Sequence, residues 1–300
     1  MKTMETVCIP QRKATSQKPG WLRKRLPRGP DFENVRGMLA SNALHTVCQE
    51  ARCPNIWECF SRRTATFLIL GDRCTRDCRF CAIGHGPLAP PDPGEPERVA
   101  RAAQILGLDY VVVTSVTRDD LPEGGAGLFA ETIRAVRKHL PRAGVEVLIP
   151  DFRGNPAALA TVLQARPHVL NHNVETVSRL YPAARPQADY RRSLNLLSRA
   201  AASFPDIPVK SGLMLGLGET DEEIETTIRD IRDTGCRLLT LGQYLQPTKD
   251  HLPVARYVPP GEFKVWKTRA LELGFTAVYS GPFVRSSYRA KEMVSNVKRP

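Results

Sequence analysis

No apolar run in this 300-residue chain approaches the roughly 20 residues that a membrane-spanning helix needs. A bilayer helix is therefore excluded, and a soluble protein without membrane partners is expected. The first residues also lack an apolar stretch of the signal-peptide kind. MKTMETVCIPQRKATSQKPGWLRKRLPRGP is basic and proline-rich instead, and reads as an extended arm. Glu5 and the prolines spoil the amphipathic helix of an organelle transit peptide. Aromatic residues are sparse, at 7%, and form no stripe interleaved with basic ones. No RNA-binding signature is present. Lys and Arg outnumber Asp and Glu by 43 to 31, but the +12 excess is spread along the chain. An acidic protein partner or an anionic cofactor, rather than nucleic acid, is expected to meet it.

Cysteine is concentrated rather than abundant. Six of the eight lie between Cys48 and Cys81, while Cys8 and Cys236 stand apart and receive no role. A disulfide framework suits a small secreted domain, not a long chain with an ordinary core and no export signal. Clustered thiols in a reducing compartment, the cytoplasm or an organelle matrix, point to metal.

From residue 66 onward, apolar β-branched runs alternate with amphipathic stretches. The strand candidates are residues 66–70, 109–116, 145–150, 168–173, 208–217 and 237–245, with a further strand in TAVYSGPFVRSSY. Between them lie helical patterns; one opens with Thr220 and Glu223, a capping-box pair. Near-continuous apolar strands alternating with helices predict a parallel sheet covered by helices. A partial (β/α)6 barrel and a doubly wound sheet both satisfy this pattern. In either, chemistry collects at the carboxyl ends of the strands. GDRCTRDCRFCAIG, TSVTRDDLPEGG, NHN, GLGE and QYLQP all fall there. The predicted organisation is an N-terminal extension (1–62), a barrel core (63–274) and a C-terminal strand and tail (275–300).

The missing residue is a fourth cysteine in GDRCTRDCRFCAIG. Cys74, Cys78 and Cys81 make only three ligands, where a structural zinc wants four. His85 offers a Cys3His zinc site. The rival is a 4Fe–4S cubane with one open iron, able to bind a substrate and pass it an electron. The Cys74-x3-Cys78-x2-Cys81 spacing, with Phe80 before the last cysteine, resembles the signature of the radical S-adenosylmethionine (SAM) superfamily. That resemblance implies a partial (β/α)6 TIM-type barrel. It also implies SAM chelated at the vacant iron and cleaved to a 5′-deoxyadenosyl radical.

A second triad, Cys48-x4-Cys53-x5-Cys59, precedes the barrel. HTVCQEARCPNI, TATFLILGDRCTRDCRFC, VVVTSVTRDDLPEGGA, LNHNVETV, SGLMLGLGET, LGQYLQPTKDHLPVARYV and GPFVRSSY resemble, in order, segments of the lipoyl synthase family. The resemblance runs from about Lys18 nearly to the end. It implies two 4Fe–4S clusters: a radical-generating one on Cys74, Cys78 and Cys81, and a sacrificial one on Cys48, Cys53, Cys59 and Ser286. It implies insertion of two sulfur atoms, at C6 and C8 of a protein-bound octanoyl-lysine, with two SAM and with the auxiliary cluster as sulfur source. The C–H bonds attacked are unactivated, so no acid or base can break them.

The implied partners are octanoylated lipoyl-domain carrier proteins (2-oxoacid dehydrogenase E2 subunits or glycine-cleavage H-type proteins). An electron donor such as ferredoxin or flavodoxin, and an iron–sulfur carrier for rebuilding the cluster, are also implied. For SAM binding it implies Thr114, Ser115, Asp119 and Asp120, with Asn171 and Asn173 at the next tip. Gly212, Gly216 and Glu219, completed by Gln243 and Tyr244, form the adenine side. Arg285 is expected beside an anionic cluster, and His172 and Met214 in the core. The family's CPNIGECW and GTATF differ here: Trp57 stands for glycine, Phe60 for tryptophan, and Arg63 precedes TATF. A biotin-synthase-like enzyme would lack the Cys48 triad, and a methylthiotransferase would carry a longer N-terminal domain. Another radical SAM sulfur-inserting or methylthiolating enzyme is the alternative.

Overall fold

The structure, a computed structural model, describes residues 18–23, 30–62 and 64–295. Cys8, Arg63 and most of the basic arm lie outside the described residues.

Strand β1 (His45–Thr46) runs antiparallel to β2 (Thr66–Ile69). Every later ladder is parallel, through β3 (Tyr110–Ser115), β4 (Gly144–Leu148), β5 (Val169–Asn171), β6 (Val209–Leu215), β7 (Leu238–Gln243) and β8 (Ala277–Gly281). All six predicted strands are present, trimmed at their ends, and β8 is the further strand. Their spatial order is their sequence order. A doubly wound sheet reverses at a switch point; this one does not, so the fold is the barrel type. Among the described residues no ladder joins β8 back to β1 or β2. The result is a partial barrel.

In the extension, α1 (Pro30–Ser41), α2 (Val47–Glu50) and α3 (Ile56–Ser61) precede the barrel. The crossovers are α4 (Glu95–Ile105), α5 (Ala126–His139), α6 (Pro156–Gln164), then α7 (Tyr181–Ala184) with α8 (Tyr190–Ser203), α9 (Asp221–Asp233) and α10 (Pro260–Glu272). A last helix, α11 (Ala290–Ser295), follows β8. The capping box forms: Glu223 N–H donates to Thr220 Oγ1 at 3.3 Å, and Thr220 N–H donates to the Glu223 carboxylate at 2.9 Å. Asp221, Glu222 and Glu223 in that first turn also suit the positive end of the helix dipole.

The extension shares the barrel's core. Phe32, Val35, Leu39, Leu44 and Phe60 belong to one buried cluster with strand residues such as Phe67 and Val113. Phe32 stacks on Trp57 with ring centroids 4.0 Å apart and lies 5.4 Å from the fully buried Phe60. Trp57 sits inside α3 and is not among the residues with positive φ, so its position needs no glycine. The aromatic exchange is a repacking.

The tail crosses the barrel's open side. Asn55 Nδ2 donates to the Phe283 carbonyl at 2.7 Å, and Tyr288 Oη donates to Glu58 at 2.9 Å. Lys291 pairs with Asp109, and Met293 is buried with Val169, Leu238 and Ala277 at the barrel's base.

Candidate active site between two cysteine triads

The chain leaves β2 through two left-handed residues, Leu70 (φ 68°) and Gly71 (φ 89°), and enters the first cysteine loop. That loop is tied to the β3 tip. Thr75 N–H and Oγ1 donate to the Thr117 carbonyl at 3.0 and 2.9 Å, and Asp119 N–H donates to Thr75 Oγ1 at 3.1 Å. Thr117 N–H points at Cys74 Sγ at 3.3 Å. The buried Arg76 clamps Asp119 through two hydrogen bonds, at 2.7 and 3.0 Å, and Asp151 through one at 2.6 Å. From the other side, His251 Nε2 contacts the Cys81 carbonyl at 2.9 Å and Leu252 N–H donates to the Arg79 carbonyl. Phe80 packs, as Leu252 and Tyr257 do, against the buried cluster that contains Tyr244, Leu217 and Val254. The aromatic residue before the last cysteine is thus an anchor for the loop.

The second triad is set by α2 and α3. Thr46 Oγ1 caps α2 by accepting from Gln49 N–H, which places Cys48. Arg52, at φ 50°, turns the chain so that Cys53 N–H donates to the Cys48 carbonyl at 3.1 Å. Cys59 lies on α3. Cys48, Cys53 and Cys59 line one cavity of about 860 Å3 together with Cys81, Asn173, Glu175, Arg285 and Ser286. Asn173 Nδ2 donates to Ser286 Oγ at 2.6 Å and to Glu175 at 3.0 Å. The tail serine is thus held at the tip of β5.

Burial pushes the Cys48 thiol up, and the neighbouring Cys53 and Cys59 push it further. Burial also raises Cys78 to about 11; Arg185 opposes this and Cys74 adds to it. Cys81 rises to about 12 through burial, against a backbone N–H at Ile83 and with help from Cys78 and Cys74. Each triad is therefore gathered closely enough for its thiols to feel one another. Buried thiols of this kind ionise when a cation neutralises them, as iron does on binding. Among the described residues, no three His, Cys, Asp or Glu side chains converge on one ion. His85 contacts the Cys74 carbonyl at 3.2 Å and Asp77 at 3.6 Å, so it completes no Cys3His zinc site. A cubane spreads its thiolates over separate irons, and three soft donors per triad fit that group.

The other expected contacts divide. Asp119 is engaged by Arg76, at 2.7 and 3.0 Å, and Asp120 by Arg118, at 2.8–3.1 Å, so a ligand's ammonium would share each carboxylate with an arginine. Gln243 is held by backbone groups. Its amide NH2 donates to the Leu215, Tyr244 and Arg256 carbonyls, and its oxygen accepts from Val258 N–H. Glu219 accepts from Gly216 and Leu217 N–H, which shapes the β6 tip. Thr114 Oγ1 donates to the Leu148 carbonyl, while Ser115 Oγ is buried with no partner among the described residues. Asn171 faces a buried Glu146–Lys210 pair, and its Nδ2 donates to Glu146 at 3.3 Å. His172 is buried, neutral and held down to about 4 by burial, with the nearby Arg185 adding to the effect. Cys236 is buried in the core.

Two residues escaped the sequence reading. Glu175, at φ 72°, brings a carboxylate to the cavity, and Arg185, nearly fully buried, sits within reach of Cys78 and Glu175. Their signal was charge beside the buried NHN tip.

Gly216 is required where it stands. Its φ is 102°, and a Cβ would lie 2.3 Å from Gln243 Nε2 and 2.4 Å from the Arg256 carbonyl oxygen, a backbone atom that cannot swing aside. Gly216→Ala is expected to cost about 2 kcal/mol and to lower Tm by roughly 4–8 °C, read by thermal unfolding.

This loop, tied to the first parallel strand of a partial barrel and presenting three thiols, defines a radical SAM enzyme. The sequence matches the radical SAM superfamily over residues 68–231, and the N-terminal domain of lipoyl synthase of that family over residues 3–53. It is 58% identical to the lipoyl synthase of Desulfotalea psychrophila over 276 residues, 92% of each chain. It is 53% identical to that of Rubrobacter xylanophilus over 289 residues, 96% of this chain and 90% of the other. The chain belongs to the lipoyl synthase family, whose members are radical SAM sulfur-inserting enzymes. The fold is also that of HydG, a maturase of the FeFe-hydrogenase (TM-score 0.57, 16% identity, covering 90% of this chain and 71% of that one). Methylornithine synthase is similar too (TM-score 0.53, 15% identity, 85% and 75%). Membership implies a 4Fe–4S cluster and SAM. Among the described residues no helix is long and apolar enough to cross a membrane.

Proposed function

We propose that Cys74, Cys78 and Cys81 hold the SAM-cleaving cluster, and that Cys48, Cys53, Cys59 and Ser286 hold a second, sulfur-donating one. The observation that carries this is the single cavity shared by the second triad, Cys81 and Ser286. When bound, the two clusters and SAM supply what the side chains cannot: a carbon-centred radical that removes an unactivated hydrogen, and sulfide to replace it.

The chain's own residues orient and shield. Glu175 and Asn173 offer acceptors for the hydroxyls or ammonium of SAM. Arg185, a buried cation beside Cys78, suits its carboxylate. Ser115, with its unpartnered hydroxyl, and the Gly212 backbone complete the contacts. Arg285 lies within electrostatic reach of Cys53 and Glu175, where a cation favours an anionic cluster. The tail bonds through Phe283 and Tyr288 tie the C-terminal segment to α3 and close part of the cavity wall, which limits the access of water to a radical.

The substrate is an octanoyl-lysine on a carrier protein, converted at C6 and C8 with two SAM. A ferredoxin or flavodoxin supplies electrons, and an iron–sulfur carrier rebuilds the second cluster. The seven described cysteines are all free, which suits a reducing cytoplasm.

An oxygen ligand binds iron less firmly than thiolate does, which suits a cluster that is dismantled. Ser286→Ala is therefore expected to leave SAM cleavage within about twofold while cutting sulfur insertion about tenfold or more. Mass spectrometry of an octanoylated carrier peptide reads the second quantity and 5′-deoxyadenosine the first. Equal loss of both would remove Ser286 from the ligand set.

A further inference from the structure

Around the mouth of the cavity stand four exposed cations: Lys18, Arg52, Arg79 and Lys249. None makes an ion pair or side-chain hydrogen bond among the described residues. Lys18 and Arg52 line the cavity, as do Cys53 and Pro54 of the extension. Arg79 precedes Phe80, and Lys249 lies two residues after Pro247; Phe80, Gln246 and Pro247 line the same cavity. The Leu252 N–H bond to the Arg79 carbonyl brings those two segments together. Three acids stand near them, of which Glu58 alone pairs with an arginine. Glu58 accepts from Tyr288 and pairs with Arg62 at 3.6 Å, Asp77 faces His85 at 3.6 Å, and Asp250 accepts from Thr248 at 3.4 Å. Lys291 pairs with Asp109 and Arg289 with Glu292 at the same cavity, which leaves Lys18, Arg52, Arg79 and Lys249 as exposed cations without an ion-pair partner among the described residues, on a chain of net charge +12.

An acylated lysine is neutral and largely apolar, so these cations gain nothing from it. SAM carries its charges into the depth of the cavity, beside the cysteines. What remains at the rim, once the acyl-lysine arm has entered, is the body of the protein that bears it. We propose that Lys18, Arg52, Arg79 and Lys249 form the docking ring for an acidic face of the carrier domain. This rests on the sulfur-insertion reading above. Rim charges of this kind steer encounter and make association salt-dependent.

The test compares two substrates, an intact octanoylated carrier domain and an octanoyl-lysine tripeptide, with dithionite as reductant. In the unmodified enzyme the KM for the domain rises with KCl while that for the tripeptide stays level. Arg79→Glu with Lys249→Glu, side chains outside the cavity lining, raises the KM for the domain about tenfold. It leaves iron content and the tripeptide KM unchanged. Equal shifts for both substrates, or none for either, overturn the docking ring. So does an unchanged domain KM combined with slower reduction by flavodoxin, which would assign the ring to the reductant. If the unmodified enzyme adds no sulfur to either substrate, the sulfur-insertion reading itself fails.

Discussion

Cys53→Ser abolishes sulfur insertion and leaves SAM cleavage running, whereas Cys78→Ser abolishes both. Each variant is expected to retain about four irons, against about eight in the parent protein, because each loses one cubane of four. Serine is close in size to cysteine, but its oxygen holds iron less firmly than thiolate does, so the packing survives while each affected cluster is left with two thiolates, too few to retain it. The expected loss of insertion exceeds about a hundredfold, beyond what removing supporting residues costs at metal sites. The asymmetry between the two variants is the informative part. Cys78 lies on the loop tied to β3 through Thr75 and Arg76, and Cys53 on the extension packed through Phe32 and Phe60. The two triads hang from separate supports, so one should fail without the other. Anaerobic iron analysis with 5′-deoxyadenosine and product assays reads all three quantities. Loss of SAM cleavage in Cys53→Ser would contradict this division of roles.

The second large effect belongs to a residue that binds nothing. Arg76→Met leaves Asp119 without its cation and the fully buried Asp151 with only the more distant Arg192, at 3.3 Å. Removing one partner of a buried pair costs about 3–5 kcal/mol. Burial alone would raise the Asp151 carboxyl, but the Arg76 hydrogen bond and charge overcome it and hold the group down to about 2, from an ordinary 3.8. A depressed carboxyl contributes stability that is full above its unfolded value and lost as pH falls toward its folded one. In the parent protein this contribution therefore disappears between about pH 4 and pH 2. In the variant Arg192 and the Arg153 N–H still favour the charged carboxylate, but the Arg76 contribution is gone, so less stability remains to be lost on protonation. The destabilisation by Arg76→Met is thus largest near neutrality and shrinks below about pH 4, measured by denaturant unfolding across pH. A cost independent of pH would mean that Arg76 acts through packing alone. At neutral pH the loosened cysteine loop should also lose iron.

Much of the strand order was legible because parallel strands buried on both faces read as continuous apolar runs; YVVVTS and LLTLGQ needed no partner to be recognised. The choice between barrel and doubly wound sheet was not legible. Both use right-handed crossovers, and the distinction lies in which strands pair. Trp57 illustrates the same limit. The family pattern has glycine there, which raises the question of a glycine-dependent angle, but a helix and a stacking partner 25 positions away make Trp57 ordinary.

The sequence by itself determined the class of chemistry. Thiol identity and the spacing of Cys74, Cys78 and Cys81 are local, covalent properties that no tertiary contact rewrites. Only the tertiary structure decided which polar groups are free to meet a ligand. A carboxylate's availability depends on whether a cation elsewhere in the chain has already paired with it. Arg76 engaged Asp119 and Arg118 engaged Asp120, while four backbone groups occupied Gln243. Glu175 emerged at the cavity, and Ser286 reached Asn173 from 113 positions away. Hydrophobic periodicity reports which face is buried, and it carries no information about the partner waiting there.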